Sequence, residues 1–374
     1  VARTPADILE RAYQRALSIG TEPIIQLREI TRQVEYIARN PSNRACARFL
    51  LACALAKTHQ PDVDIRKPYT EIGSPDAYSG RTYDEKFVGP FVLQHQLPCN
   101  PTTAFLTPAF RNRNTVLTPK SNLVGRPADL YQATLNILNA IHTEQVTAEE
   151  ILTELLRWLI QIREEKEQRV RSLLATLDAA QGEKTLSSEA IVSLIEKHIG
   201  LKRSSRLPVL AIAAVYQCAQ EYLKERTLPL RKHNAADAQT GALGDVEITL
   251  LNAQDIVTTY EIKTRRVTRN DVVLAIEKVT QSYSLPDNYI FITTEPISLE
   301  VQEFAQGLYD ETGVEFVILD CIGFLRHFLH LFHRLRMTFL ETYQTLLLAE
   351  PESAVNQELK EAFLTMRLAA QAQL

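Results

Sequence analysis

The chain has 374 residues, with 41 Lys and Arg against 45 Asp and Glu, a formal charge of −4, and 45% hydrophobic residues. That length gives room for about two or three domains with real cores, and the composition excludes disordered and low-complexity classes. No run reaches the roughly 18 apolar residues of a membrane span, so no membrane partner is expected. Cys46, Cys53, Cys99, Cys218 and Cys321 are odd in number and form no CxxC pair. They fit free thiols in a reducing cytoplasm better than a disulfide framework or a zinc site.

Residues 1–60 carry apolar residues at helical spacing, as in ADILERAYQRAL and RFLLACALAK. The opening stretch reads as helix and lacks a signal peptide's apolar core. Residues 61–130 are rich in Pro, Gly, Asn and Thr, as in IGSPDAYSGRTYDEKF and LPCNPTTAFLTPAFRNRN. Long irregular segments inside globular chains tend to be functional. Residues 131–200 return to helix, with Thr147 and Glu150 as a capping box, Trp158 on an apolar stripe, and Ser187 or Ser188 capping a further helix.

From about residue 205 the pattern is mixed. Pro208 opens an apolar helix, and GDVEITLL then alternates Val246, Ile248 and Leu250 with Glu247 and Thr249. NAQD is a turn, VTTYEIK a second strand, DVVLAIEKV a helix and NYIFITT an apolar strand. A helix capped by Ser298 and ending at Gly313, then the strand VEFVILD, complete the unit. The remainder is helical, with a break near Pro351. The expected class is α+β (mixed α/β), with a mixed sheet flanked by helices in the C-terminal half. The expected regions are 1–130 (helical and irregular), 131–204 (helical), 205–350 (α/β) and 351–374 (a last helix).

The chemistry-bearing feature is Asp245 on one strand with Glu261 and Lys263 on the next. Side chains alternate along a strand, so Glu261 and Lys263 share a face while Tyr260 and Ile262 share the other. Asp245 and Glu247 share a face as well, so up to three carboxylates and one ammonium are expected to converge. Carboxylate oxygens suit Mg²⁺, and an ammonium beside them suits a phosphate in hydrolysis. E-x-K alone is weak and often only an ion pair. Its placement mid-strand in an apolar β-unit, behind a Gly-Asp strand opening, strengthens it.

This D-x₁₅-E-x-K pattern resembles the PD-(D/E)XK nucleases, with Gly-Asp for the nominal Pro-Asp. The segments YTEIGSPDAYSGRTYDE, LPCNPTTAFLTPAFRNRN, LVGRPADLY, SSRLPVLAIAAVY and GDVEI…YEIKTR are similar to those of SacI-type type II restriction endonucleases. The resemblance implies a bacterial, Mg²⁺-dependent enzyme that cuts double-stranded DNA at a short palindrome as a homodimer. It also implies Asp245, Glu261 and Lys263 as the catalytic set, with the C-terminal region as nuclease domain and residues 1–130 as DNA-recognition region. Glu221, on the helix ahead of the hairpin, is a candidate extra metal ligand, although a solvated helix carboxylate is the simpler reading. Another nuclease of this class, for repair or branched DNA, and a non-catalytic DNA-binding relative are the alternatives.

For DNA contacts, Arg111, Asn112 and Arg113 carry groups that match guanine and adenine edges. Arg81, Arg265 and Arg266 are further candidates, with loop salt bridges as the competing reading for Arg81. The clusters Arg111, Arg113, Lys120 and Arg126, and Lys202, Arg203 and Arg206, read equally as solvated faces. Asp237 is an alternative to Asp245, and His233 a possible phosphate contact. Cys99, in LPCN, reads as a packed thiol. His327, His330 and His333 lack a carboxylate that would complete a zinc motif. No P-loop is present, so no nucleotide cofactor is expected.

Overall fold

The structure is a computed structural model that describes residues 3–40, 44–100, 102–111, 114–179, 185–230, 242–282 and 285–372. It is 60% helical with a five-stranded mixed sheet, an α+β architecture. The chain divides into two compact units, residues 1–168 and 169–374.

In the first unit, helices α1 (Pro5–Ile19), α2 (Arg28–Arg39), α3 (Ala45–His59) and α6 (Ala128–His142) precede α7 (Ala148–Ala179), which runs through the division at residue 168. The capping box expected at Thr147 and Glu150 forms: Thr147 Oγ1 accepts from Glu150 N, and Glu150 Oε2 accepts from Thr147 N. The central helix is α3, whose residues from Ala45 to Ala56 are all buried. Between α3 and α6 the chain is irregular, as its composition predicts. It still holds α4 (Gly80–Tyr83), a π-helical turn over Asp84–Val88 and α5 (Gly89–Gln94).

A buried ion pair joins this segment to α3. Arg48 Nε donates to Asp84 Oδ1 at 2.5 Å and Arg48 Nη1 to Asn100 O at 2.6 Å. The other oxygen of Asp84 accepts from Thr103 Oγ1 and Ala104 N. Burying two charges is costly unless their remaining hydrogen-bonding positions are filled, and here three points of the segment fill them.

In the second unit, α8 (Ser188–Ile199) and α9 (Leu207–Leu223) lead into the sheet. Ser187 caps α8, accepting from Ala190 N. The strands are β1 (Glu225–Thr227), β2 (Val246–Leu250), β3 (Ile256–Lys263), β4 (Asn288–Thr293) and β5 (Glu315–Asp320), in that spatial order. β1–β2–β3 pair antiparallel and β3–β4–β5 parallel, so β3 is the middle strand. The helices between and after them are α10 (Arg269–Thr280), α11 (Leu299–Gln306), α12 (Tyr309–Thr312), α13 (Cys321–Leu331), α14 (Arg336–Ala349) and α15 (Gln357–Ala372).

Two details differ from the sequence reading. The apolar helix stops at Leu223, where Lys224 turns left-handed with φ 59°, and Glu225–Thr227 become an edge strand. The stretch after Ser298 forms two short helices in place of one.

Alternation along the strands sorts the unit into two cores. Val246, Ile248, Tyr260, Ile262 and Ile292 pack with α8, α9, α13, α14 and α15. Tyr289, Phe291, Phe316 and Ile318 pack on the other face against Val272, Ala275 and Val279 of α10 and Ala305 of α11. Glu261 is level with Phe291 and so belongs to that second face.

Candidate active site

The hairpin register brings the three expected residues together. Val246 is opposite Tyr260, and Asp245 lies one step before β2, beside the Tyr260–Ile262 stretch of β3. The backbone N–H of Asp245 donates to Tyr260 O, while its Oδ2 accepts from Ile262 N at 2.8 Å. Asp245 is therefore held across β3 by one main-chain and one side-chain bond to the backbone on either side of Glu261.

Gly244 makes this approach possible. A Cβ at that position would lie 2.6 Å from both Tyr260 O and Thr259 Cγ2. Every other residue type, proline included, carries that carbon, so the close approach of the two backbones requires glycine here.

Glu261 is 9% exposed, and both its oxygens are engaged. Lys263 Nζ donates to Oε1 at 2.7 Å, and Lys278 Nζ, from α10, lies 3.4 Å from Oε2. Tyr289 OH is 3.3 Å from Oε2 and 2.9 Å from Leu243 O, linking the carboxylate to the loop before β2.

The expected convergence of three carboxylates is corrected by Glu247. Its Oε1 accepts from Leu243 N at 2.8 Å, so this buried carboxylate fixes the loop that leads to Asp245. Two ammonium groups gather at Glu261 where one was expected. Lys278 and Tyr289 escaped the sequence reading because their approach depends on how α10 and β4 pack against β3.

Among the described residues no group of three or more His, Cys, Asp or Glu side chains is arranged to hold a metal ion. Mg²⁺ does not require one, since it keeps several waters and is commonly bound through one or two carboxylates. Asp245 and Glu261 supply hard oxygen donors of that number, so the donor set fits Mg²⁺.

The other candidates lie elsewhere. Glu221 is 74% exposed on the last turn of α9, 3.7 Å from Lys224, a solvated helix pair. Arg265 is engaged by Asp271 through two bonds of 2.7 and 2.8 Å. That pairing, with a bond from Thr268, holds the Asp271 carboxyl well below the usual range, and Asp271 and Thr268 form the capping box of α10. Arg266 is exposed on the same loop. Arg81 is exposed and pairs with Glu85 at 2.7 Å, the loop salt bridge that competed with a DNA role.

Arg111 is exposed, its backbone N–H donating to Thr107 O. Asn112, Arg113, His233 and Asp237 lie outside the described residues. Arg206, one of the basic residues near 203, is buried against Glu350 at 2.8 Å. His330 pairs with Glu189, and burial pushes the Cys99 thiol up to about 12.

Residues 183–294 match the family model for the SacI restriction endonuclease C-terminal domain. This segment is a SacI-like restriction endonuclease domain, and it runs from α8 through β4, with the Asp245–Glu261–Lys263 hairpin inside it. No curated protein matches the chain. No helix among the described residues is long and apolar enough to cross a membrane.

Proposed function

We propose that the protein is a Mg²⁺-dependent type II restriction endonuclease. It hydrolyses phosphodiester bonds of double-stranded DNA within a short palindrome, as a homodimer in the bacterial cytoplasm, with a PD-(D/E)XK catalytic centre. The observation that carries this reading is the Glu261–Lys263 pair, with Asp245, just before the adjoining strand, bonded to the backbone on either side of Glu261, inside a SacI-like domain.

Asp245 and Glu261 are the residues that would hold the metal. When bound, Mg²⁺ supplies an activated water and neutralises charge at the phosphate. Lys263 donates hydrogen bonds where negative charge grows on the phosphate oxygens, and its pairing with Glu261 keeps Nζ from swinging to bulk water. Tyr289 and the Glu247-fixed loop restrict the motion of Glu261 and Asp245. Palindrome recognition by a two-fold dimer puts one such centre on each strand. Sequence readout falls to the irregular segment of the first unit, Arg111 included, because loops on a rigid scaffold carry recognition. Arg81 and Arg266 are assigned to backbone phosphates, as is Arg265 beyond its bond to Asp271.

Digestion of a sequenced plasmid, with and without Mg²⁺, followed by sequencing of the fragment ends, tests the whole reading. Ends that share one palindromic word, formed only with the divalent ion, are expected. Cleavage that persists in EDTA removes the metal mechanism. Ends without a common word, or cuts confined to branched DNA, reassign the enzyme to repair or structure-specific cleavage.

A further inference from the structure

Arg48 is the one charged residue in Ala45–Ala56, the buried stretch of α3, and its partner Asp84 is fully buried. A well-packed apolar pair of similar volume is often as stable as a buried ion pair, so stability alone does not account for these charges. What the pair adds is direction. A guanidinium is a planar fork with donors at fixed angles, and this one holds Asp84 with Nε and Asn100 O with Nη1. One side chain of α3 thus sets two separate points of the irregular segment. Hydrogen bonds carry that setting onward. Asp84 Oδ2 accepts from Thr103 Oγ1 at 2.6 Å and from Ala104 N at 2.9 Å. Ala104 O accepts from Thr107 Oγ1 at 2.6 Å and from Thr107 N at 3.1 Å. Thr107 O accepts from Arg111 N at 2.9 Å, and Arg111 is exposed. A second tie runs beside this one, because Phe110 stacks on Phe49, the neighbour of Arg48, with ring centroids 4.0 Å apart. Stacked rings set a separation, whereas hydrogen bonds also set an angle.

We infer that Arg48 is a positioning residue for sequence discrimination: acting through Asp84, it fixes where Arg111 leaves the surface. This rests on reading Arg111 as a base contact and adds what aims it. A bidentate contact with a base edge weakens steeply when its donors are misaligned, so the root of the side chain must be held. Arg48 is 4% exposed and acts only through the segment that it holds. Cleavage is the task of Asp245, Glu261 and Lys263, so discrimination and rate are separable.

The test digests a sequenced plasmid with the full-length protein and Mg²⁺, counting fragment ends at the common word and at words one base pair different. Wild type, Arg48→Lys, Arg111→Ala and the double variant are compared, with urea unfolding to confirm that each is folded. Arg48→Lys keeps a charge beside Asp84 and loses the fork. Its ratio of cognate to one-mismatch ends should fall about ten- to hundred-fold, the scale of one lost base contact. Its cutting rate at the cognate word, at saturating enzyme, should stay within about three-fold of wild type. Arg111→Ala should lose as much, and the double variant no more than Arg111→Ala alone, because both act on one contact. An unchanged ratio in Arg48→Lys, with the loss present in Arg111→Ala, overturns the positioning role and leaves Arg111 as a reader. Additive losses overturn the link between the two residues. A rate that falls in step with the ratio makes Arg48 merely structural and also overturns it. An unchanged ratio in Arg111→Ala overturns the inference together with the reading on which it rests. Should Arg48→Lys not fold, Arg48→Gln with Asp84→Asn, an uncharged hydrogen-bonding pair, is read by the same outcomes.

Discussion

Asp245 Oδ2 accepts the backbone N–H of Ile262 at 2.8 Å, so a carboxylate at the mouth of one strand completes the hydrogen bonding of the next. The side chain thus has a charge, wanted for chemistry, and an acceptor, wanted by the fold. Substitutions can separate the two.

Asp245→Asn keeps an acceptor and loses the charge. It should cut with at least ~10²-fold lower kcat and unfold close to wild type, since metal-derived stabilisation amounts to several kcal/mol. Asp245→Ala should lose cleavage and also about 1–3 kcal/mol of stability, because the Ile262 N–H is left unmet in a mostly buried strand. Urea unfolding beside a plasmid-nicking assay reads both. Near-wild-type cleavage by Asp245→Asn would falsify a catalytic role for this carboxylate.

Lys263→Met should reduce kcat by on the order of 10²–10³, the usual loss when a donor to a developing oxyanion is removed. Specific DNA binding in Ca²⁺ should survive, since the loss concerns the transition state. Gel-shift titration with Ca²⁺ and single-turnover cleavage with Mg²⁺ separate the two. Loss of binding equal to the loss of rate makes Lys263 a DNA contact only.

Gly244→Ala introduces a carbon 2.6 Å from Tyr260 O, a backbone atom that moves only with β3. Overpacking at such a site costs about 1–3 kcal/mol. Because the strain falls between Asp245 and Glu261, cleavage should drop further than stability explains. A fully active and stable Gly244→Ala enzyme contradicts the close approach of the two strands.

Arg265→Ala separates a structural from a DNA-contacting role. The Arg265 guanidinium, with Thr268, depresses the Asp271 carboxyl in the folded protein. A depressed folded pKa contributes stability that is present above the unfolded value of about 3.9 and is lost as pH falls. Arg265→Ala should therefore be less stable than wild type at neutral pH by about 0.5–1 kcal/mol, a small amount because the guanidinium is mostly exposed. The difference should narrow as pH drops below about 4. A gap that persists undiminished at pH 2 points away from the Asp271 pair.

Arg111→Ala should lose about 1–3 kcal/mol of affinity for the cognate site if the guanidinium reads a guanine, with much smaller losses on unrelated DNA. Salt titrations on both DNAs decide. Equal losses and a shallower salt slope reassign Arg111 to phosphate contact.

The hairpin was legible because alternation in VEITL and VTTYEIK fixes which residues share a face, and the four-residue turn fixes which strands are neighbours. Capping signals at Thr147 and Ser187 are local and read directly. Lys278 and Tyr289 were not legible, since their meeting with Glu261 depends on tertiary packing that no short-range period encodes. Glu247 shared the expected face but met the Leu243 backbone, whose path before β2 carries no pattern. β1 is three residues without apolar alternation, and the division at residue 168 falls inside a continuous helix, where no Gly or Pro marks it.

The sorting of β3 into one apolar and one charged face makes the hairpin a parity device. Between Thr258 and Glu261, an insertion of one residue exchanges odd for even and would turn Glu261 toward Tyr216 and Phe324, where Tyr260 now packs. The bulge between Ile248 and Thr249 is where the count already changes by one, and it lies on the turn side of Asp245. Length changes in the turn can be absorbed there without disturbing the phase at the end that holds Asp245 and Glu261. An insertion on the other side of the bulge cannot, so this sheet tolerates drift at its tip and forbids it at its root.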